Sequence, residues 1–330
     1  MLTFTLALFM AITAKPQIST GKNMSKTQVT RITEGMEYNP WLSYFLTPIL
    51  HGIALTGKKT RHRTELRTRI KKVVDKYLPD ASEVARMAKT SRALDIIYDY
   101  KRKPLPKLEI VSLESWRKFI AAVVNRSLYE LRNCQAARNR LKIVKWLMIE
   151  ESRRIPLEEI WKVLVVACGS ARASLEAVAE RKNIGGLSKV ILIDLSQEAL
   201  QEAMSFAESL RIQDMVTPIC GSVVDTTRLI GNFRPDTIEM VGLTDYLPRL
   251  FVVNFFKMFK DLMAENGKLI MANVVKNTER PFVKEVFGWP MIYRSLAVLL
   301  EISLASGYPE QGLKFFSEPL GIFYLLVLSK

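Results

Sequence analysis

The most informative segment of the chain reads Val163-Leu164-Val165-Val166-Ala167-Cys168-Gly169-Ser170-Ala171. Its apolar first half predicts a buried β-strand, and its small residues predict a tight turn that leads into a helix at Leu175–Arg181. Small side chains at such a turn let a ligand approach the backbone, with the N-terminus of the helix pointing at it. The segment therefore predicts a strand, a ligand-binding loop and a helix in succession.

The rest of the C-terminal half repeats this alternation. Strands are predicted at 162–166, 189–193, 216–220, 237–242 and 268–273, with further helices at 197–210 and 251–263. This order is typical of an α/β fold with a doubly wound, mainly parallel sheet. Two last strands, 313–316 and 323–329, are too close for a crossover helix, so we expect a C-terminal antiparallel hairpin at the sheet edge.

Composition excludes several classes of protein and divides the chain into two halves. Hydrophobic residues make up 48% and charged residues 25% of the 330 residues, which excludes collagen-like, disordered and multi-span membrane proteins. The net charge is +15, yet residues 1–155 contain 30 basic and 13 acidic residues, against 18 and 20 in residues 156–330. The positive excess therefore belongs to the N-terminal half alone.

Cysteine and histidine usage excludes further chemistry. The three cysteines form no CxxC pair, which argues against a disulfide framework or a zinc site and fits a reducing compartment. Both histidines, His51 and His62, lie in the basic half. A Ser-His-Asp hydrolase or a histidine-ligated metal enzyme in the C-terminal half is therefore excluded, and we expect no metal.

We divide the chain into four regions. Residues 1–23 are an apolar extension with three open interpretations: a leader upstream of a true start at Met24, a signal or membrane anchor, or a docked helix. Residues 24–106 form a basic helical N-terminal region. It includes an apolar stretch at 41–55, which either packs onto the main domain or contacts a membrane interface. Its helices are predicted at 58–78 and 82–100, before a linker at 101–106. Residues 107–155 contain one long or two successive connecting helices, and residues 156–330 form the α/β domain.

The second strand favours a nucleoside ligand. It ends at Asp194, 25 residues after Gly169, where a carboxylate can accept hydrogen bonds from both ribose hydroxyls. A dinucleotide is disfavoured, because the loop does not fit the fingerprint G-x-G-x-x-G/A in either register. If the fingerprint starts at Ala167, its third position is the bulky Arg172. If it starts at Gly169, its second position is Ala171, whose methyl group hinders the approach of a phosphate. The lysine of a phosphate-binding P-loop is absent after the first strand.

Residues 162–330 resemble the class I S-adenosylmethionine-dependent methyltransferases, which have a Rossmann-like fold. The resemblance extends to a group of bacterial methyltransferases of unassigned substrate through Glu279-Arg280-Pro281-Phe282 and Gly288-Trp289-Pro290-Met291-Ile292-Tyr293-Arg294. The resemblance implies that the protein is a transferase, with S-adenosyl-L-methionine as cofactor and methylation as the reaction. Residues 156–330 would then be its methyltransferase domain. The cofactor-binding residues that it implies are Ala167, Cys168, Gly169, Ser170, Ala171, Asp194, Leu195, Gly221, Ser222, Val223, Val241 and Gly242.

The chain departs from the family pattern at four positions. Val165 stands where the family usually has an acidic residue, and Ala167 and Ala171 stand where it has glycines. Losing the acid removes a partner near the methionine end of the cofactor. Ser222 replaces a common Asp, so the contact with the adenine amino group is assigned to Ser222, Asp225 or the backbone.

Catalytic and substrate residues are expected at the carboxyl ends of the later strands. Asp245 and Tyr246 follow the fourth strand and are the candidate bases, with helix capping and packing as the alternatives. Glu239 lies within that strand, in either a cofactor-facing or a structural role. The candidate substrate-binding residues are Glu279, Arg280, Trp289, Tyr293 and Arg294, with an ion pair for Glu279 and Arg280 and packing of the aromatic residues as the alternatives.

The sequence thus predicts a cytoplasmic methyltransferase for a small or lipid-like acceptor, which attacks the sulfonium methyl group in line. The charge of the basic half has three interpretations: it keeps amphipathic helices solvated, it binds nucleic acid, or it binds an anionic membrane surface. In the third case the protein would be peripheral at the membrane. An alternative is a non-catalytic nucleoside-binding module whose basic arm docks on one of those partners. Aminopropyl transfer, which uses the same fold, is a further alternative, and Asp245 is the one candidate carboxylate that supports it.

Overall fold

The computed structural model describes residues 28–39, 91–100, 112–285 and 287–330. The strands in these ranges are β1 (Val29–Arg31), β2 (Ile160–Val166), β3 (Leu187–Asp194), β4 (Val216–Cys220), β5 (Thr237–Val241), β6 (Lys268–Val274), β7 (Leu313–Ser317) and β8 (Phe323–Ser329). The helices are α1 (Ser91–Tyr98), α2 (Leu113–Tyr129), α3 (Arg132–Ser152), α4 (Arg172–Asn183), α5 (Gln197–Ser209), α6 (Thr226–Ile230), α7 (Arg249–Leu262), α8 (Arg280–Glu285) and α9 (Leu296–Ala305).

The strands form one sheet in the order β1-β7-β8-β6-β5-β2-β3-β4. Strands β2 to β6 are parallel to one another, whereas β8 runs antiparallel to both β6 and β7. The predicted doubly wound α/β sheet and its C-terminal antiparallel pair are therefore confirmed. The hairpin is not at the sheet edge, however, because β1 pairs in parallel with the outer side of β7.

Helices cover both faces of the sheet, which explains why most residues of its central strands are apolar on both faces. One core lies under α3, α4 and α5 and includes Val163 and Leu192 from the sheet. The other lies under α7 and α9 and includes Leu164 and Met240. Alternate residues of β2 thus enter opposite cores, as the period of two in a strand requires.

The stretch before the sheet forms two helices, α2 and α3. Leu131 at the N-terminus of α3 offers no side-chain cap. Glu279, which is distant in sequence, supplies the cap: its carboxylate accepts hydrogen bonds of 2.9 Å from the backbone N–H groups of Arg132 and Asn133. The carboxylate also lies at the positive end of the helix dipole, which stabilises the start of α3.

Residues 28–39 are held against α3 by side chains that the sequence analysis did not single out. Arg138 binds the carboxylate of Glu37 at 2.7 Å. Asn139 exchanges hydrogen bonds with the backbone of Glu37, and Gln135 does the same with the backbone of Asn39. This pairing explains three polar residues that are buried on α3.

Several expectations for the basic half lie outside the described residues: the extension 1–23, the stretch 41–55, the basic helix 58–78 and the linker 101–106. Of the helical stretch 82–100, the described part is helical as α1. Among the residues that the structure describes, no helix has the length and apolar character needed to cross a membrane.

Candidate functional site

The loop between β2 and α4 has an unusual backbone. Ala167, Gly169 and Ala171 have φ angles of 50°, 52° and 49°. This left-handed region suits glycine, whereas an alanine there costs about 1 to 2 kcal/mol. The two alanines thus adopt the conformation expected of the glycines they replace, and the loop keeps its turn.

Asp194 at the end of β3 is fixed by two backbone N–H groups. Its Oδ2 accepts a hydrogen bond of 3.0 Å from Gly169, and its Oδ1 accepts one of 2.9 Å from Ser196. A carboxylate offers about four lone-pair sites, so each oxygen retains acceptor capacity. The structure therefore brings the predicted ribose-binding acid into direct contact with the predicted loop.

The segment after β4 is bound to the same edge. The N–H of Gly221 donates to the carbonyl of Asp194 at 2.9 Å. A Cβ at Gly221 would come within 2.7 Å of Leu229. Ser222 accepts a hydrogen bond from Val224 and caps a short 3-10 helix, while Asp225 is 3.7 Å from Arg228 in an exposed ion pair. Within this segment, Val223 lines the cavity at the carboxyl ends of the parallel strands.

A cavity of about 1940 Å³ lies at the carboxyl ends of the parallel strands. Its floor and walls contain the predicted cofactor residues Ala167, Cys168, Gly169, Ser170, Ala171, Asp194, Leu195, Val223, Val241 and Gly242. Asp245, Tyr246 and Trp289 also line it. Ligand sites usually occupy about 300 to 1000 Å³, so this cavity has room for a cofactor and an acceptor together.

Asp245 is buried in the wall of the cavity, with 2% of its surface exposed. Its Oδ1 accepts a hydrogen bond of 2.8 Å from the N–H of Val274, and its Oδ2 is 4.0 Å from the guanidinium of Arg140. Burial raises the pKa of Asp245 from 3.8 to about 6, although Arg140 and Arg294 oppose the shift. At neutral pH this carboxyl group is predominantly ionised and able to accept a proton.

Tyr246 and Trp289 form a pair at the same wall. The indole Nε1 of Trp289 donates to the hydroxyl of Tyr246 at 2.5 Å. Burial raises the pKa of Tyr246, against the lowering effect of that hydrogen bond. Tyr246 therefore stays protonated at neutral pH and can act as a hydrogen-bond donor.

The described part of the basic half closes the cavity from the other side. Asp95 on α1 accepts a hydrogen bond of 2.7 Å from the hydroxyl of Ser170, and it is 2.9 Å from the guanidinium of Arg172. A small apolar cluster joins α1 and α3 to the segment around Trp289. The cavity is thus formed between the α/β domain and helices that precede it in the chain.

The other four predicted substrate residues are not in the cavity lining. Glu279 caps α3, as described above, and Arg280 stacks 4.8 Å from the ring centre of Tyr293. Burial raises the pKa of Tyr293 to about 12. Arg294 is buried and donates to the carbonyl of Thr244 at 2.6 Å and to Oδ1 of Asn273 at 2.7 Å. These side chains brace the walls that carry Asp245 and Trp289.

Arg140 is a site residue that sequence reasoning missed. It is 4% exposed, and its guanidinium donates to the Tyr98 hydroxyl at 3.0 Å. It lies within a helical stripe of small and apolar residues that lines the cavity: Cys134, Ala137, Leu141 and Val144. A charged residue interrupting an apolar helical face was the available signal.

Cys168 and Cys134 have no features of a nucleophile. Burial and the nearby carboxylates of Asp194 and Glu239 raise the pKa of the Cys168 thiol. Burial raises the pKa of Cys134 to about 12. Both thiols are therefore protonated at neutral pH and inert.

The donor and acceptor set of the site fits S-adenosylmethionine. Asp194 retains lone pairs for ribose hydroxyls, and the left-handed loop exposes backbone beside it. Carboxylates at Glu239 and Asp245 line the same cavity, as a ligand with a cationic end requires. Of the four departures from the family pattern, the one at Val165 removes a carboxylate from the methionine end of the site.

Comparison with solved structures shows the fold. A possible exported protein from Bordetella parapertussis matches at 14% identity and a TM-score of 0.57, over 89% of this chain and 99% of that one. Magnesium protoporphyrin IX methyltransferase from Synechocystis, with bound SAH, matches at 14% identity and a TM-score of 0.50, over 76% and 99%. The chain therefore has the Rossmann-like fold of class I methyltransferases.

A provisionally assigned O-methyltransferase from Nostoc punctiforme matches at 14% identity and a TM-score of 0.45, over 68% of this chain. The match spans 64% of that protein, which is less than two thirds of its length. No protein-family model matches the sequence, and no curated protein matches it significantly.

Proposed function

We propose that this protein is a methyltransferase that uses S-adenosylmethionine to methylate a small or lipid-like acceptor by in-line attack on the sulfonium methyl group. The observation that carries the proposal is the Asp194 carboxylate, which lines the cavity and is held by the N–H of Gly169. The likeness of fold to a methyltransferase solved with SAH supports it. The bound cofactor would supply an activated methyl group, so the protein chiefly has to position the reactants.

Each part of the cavity has a role in this proposal. Asp194 binds the ribose hydroxyls, and Val223 lies along the adenine, whose amino group reaches Ser222, Asp225 or the backbone. Asp245 takes up the proton of an acceptor that carries one, and the Tyr246 hydroxyl helps to orient that acceptor. The α1 helix over the loop excludes water from the reaction.

The lining favours an acceptor with a large apolar or aromatic part. Trp289, Phe287 and Met291 line the cavity beyond Asp245, together with Leu141 and Val144 from α3. Apolar surface of this kind binds apolar ligands by the hydrophobic effect, while a few polar groups orient them. A lipid-like or aromatic small molecule fits this division.

Calorimetric titration with S-adenosylmethionine and S-adenosylhomocysteine tests the proposal. We expect micromolar binding by the wild type and at least tenfold weaker binding by Asp194→Ala, with Asp214→Ala, an exposed site outside the cavity, as the matched control. Transfer of labelled methyl groups to lipid and small-molecule extracts then identifies the acceptor class. Folded wild-type protein that binds neither compound would exclude the proposal.

The partner of the basic half stays a prediction, because most of its basic residues lie outside the described ranges. We propose an anionic surface in the cytoplasm, either a membrane or a nucleic acid. Binding to anionic vesicles and to RNA, measured at rising salt concentration, separates the two partners, and a steep loss of binding with salt is expected for the true one. Absence of binding to both would mean that the charge only solvates helices.

A further inference from the structure

Glu239 occupies a special place in the sheet. Its Cα is the register partner of Val165, across the parallel pair of β5 and β2. Register partners on adjacent strands point to the same face and are separated by about 4.8 Å. The position on β2 that lacks an acid therefore has a carboxylate beside it, on the neighbouring strand and on the same face.

The carboxylate is buried and faces the cavity. Glu239 is 8% exposed and lines the cavity together with the loop from Ala167 to Ala171. The hydroxyl of Ser174, in the first turn of α4, donates a hydrogen bond to its Oε2. Burial raises the pKa of Glu239, while Ser174 and Arg140 oppose that rise. Glu239 is thus held at the floor of the site with one oxygen already bound.

Its partners are too few for a buried carboxylate. Among the described residues, Glu239 has no ion pair within 4.0 Å, and its Oε1 accepts no hydrogen bond. By contrast, Asp245 has a backbone N–H and Arg140, and Glu279 has two backbone N–H groups. Buried carboxylates are normally paired or hydrogen-bonded, because an unpaired charge is costly to bury. A cation bound in the cavity would supply Glu239 with the partner that its charged form needs.

We infer that Glu239 is the carboxylate that binds the α-ammonium group at the methionine end of the cofactor, in place of the acid missing at Val165. The inference rests on the proposed function, since it concerns the same ligand. The side chain is one methylene longer than that of Asp, which helps it to reach from β5 towards the loop after β2. The adenosine end, bound near Asp194, does not depend on it.

A purely structural role is the competing explanation. In that role Glu239 would only bind Ser174 and fix the start of α4. The substitution Glu239→Gln separates the two roles, because glutamine keeps the size and an oxygen acceptor for Ser174 but loses the charge. Glu176→Gln is the matched control, since Glu176 lies on α4 and pairs with Lys145 at 2.8 Å without lining the cavity.

The test compares the affinities for S-adenosylhomocysteine and for its analogue without the α-amino group, measured by calorimetry. For the wild type and Glu176→Gln we expect the complete ligand to bind at least tenfold more tightly than the analogue. For Glu239→Gln we expect this ratio to fall below threefold, with the affinity for the analogue nearly unchanged. Circular dichroism establishes that each variant is folded.

The outcomes separate the two proposals. If the wild type binds S-adenosylhomocysteine and Glu239→Gln keeps the tenfold ratio, the role of Glu239 is overturned while the proposed function stands. If the wild type binds both ligands equally, the ammonium has no partner in the site and the inference also falls. If Glu239→Gln does not fold, Glu239→Asp, which keeps the charge but retracts it, must reduce the ratio; an unchanged ratio overturns the inference. Failure of the folded wild type to bind S-adenosylhomocysteine overturns both proposals.

Discussion

Ser170, in the loop after β2, donates a hydrogen bond of 2.7 Å from its hydroxyl to Oδ1 of Asp95 on α1. Asp95 also lies 2.9 Å from Arg172, and burial raises its pKa against the effect of both partners. One carboxylate thus connects the helix to the loop and to the first residue of α4. The position of α1 over the cavity depends on this connection.

Replacing Asp95 with Ala is expected to release α1 from the loop. A hydrogen bond to a charged group contributes about 1.5 to 3 kcal/mol, so amide exchange in α1 should become at least tenfold faster. Hydrogen-exchange mass spectrometry of residues 91–100 measures this. Asp99→Ala is the control, because the side chain of Asp99 is 65% exposed in its pair with Arg172 and such pairs contribute about 0 to 1 kcal/mol. Equal acceleration in both variants would contradict the role given to Asp95.

Asp245 should give the unfolding free energy a distinct pH dependence. Its pKa is about 6 in the folded protein and 3.8 in the unfolded reference, so the folded state holds the proton more strongly. Its contribution is therefore fully present below about pH 4 and is lost as the pH rises through about 6. Denaturant titrations of wild type and Asp245→Asn between pH 4 and 7 should show a steeper decline in the wild type. Parallel curves would contradict the raised pKa.

Arg181 should be among the most costly side chains to remove. It is 2% exposed and donates to the backbone carbonyls of Ser152, Ile155, Pro156, Glu159 and Leu187. Arg181→Met leaves these acceptors without their donor, so we expect a loss of about 3 kcal/mol or more in the free energy of unfolding. Chemical denaturation measures it, with exposed Arg153→Ala as a control expected to cost less than about 1 kcal/mol. A loss below 1 kcal/mol for Arg181→Met would show that water replaces the guanidinium.

Glycine at position 167 should stabilise the protein. Ala167 has a φ of 50°, and relief of about 1 to 2 kcal/mol of strain exceeds the entropic cost of about 0.5 to 1 kcal/mol for a new glycine. We expect Ala167→Gly to raise the free energy of unfolding by about 0.5 kcal/mol. Ala173→Gly, in α4, is the opposite control and should lower it by about 1 kcal/mol. If Ala167→Gly is instead less stable than the wild type, the packing of the Ala167 methyl group contributes more free energy than the backbone strain costs.

The architecture was predictable because its signals are local. The strand Val216–Cys220 was predicted to the residue, and the last strand, Phe323–Ser329, was as well. The three-residue strand β1 was not predicted, since Val29–Arg31 has no pattern of its own and becomes a strand by pairing with β7. Substrate residues such as Glu279 were inferred from resemblance, which could not reveal that the carboxylate caps a helix 146 residues away.

The sequence alone determined the parallel α/β sheet, the loop after its first strand and the acid at the end of its second. These follow from hydrophobic period, turn residues and short spacings, all of which act within a few residues of one another. Only the tertiary structure decided that Glu239 lies beside Val165, that Asp95 reaches Ser170 from 75 residues away and that Arg140 faces Asp245. Strand register and helix docking depend on how distant segments pack, because many buried contacts must be satisfied at once, and no local pattern specifies which distant residues will meet.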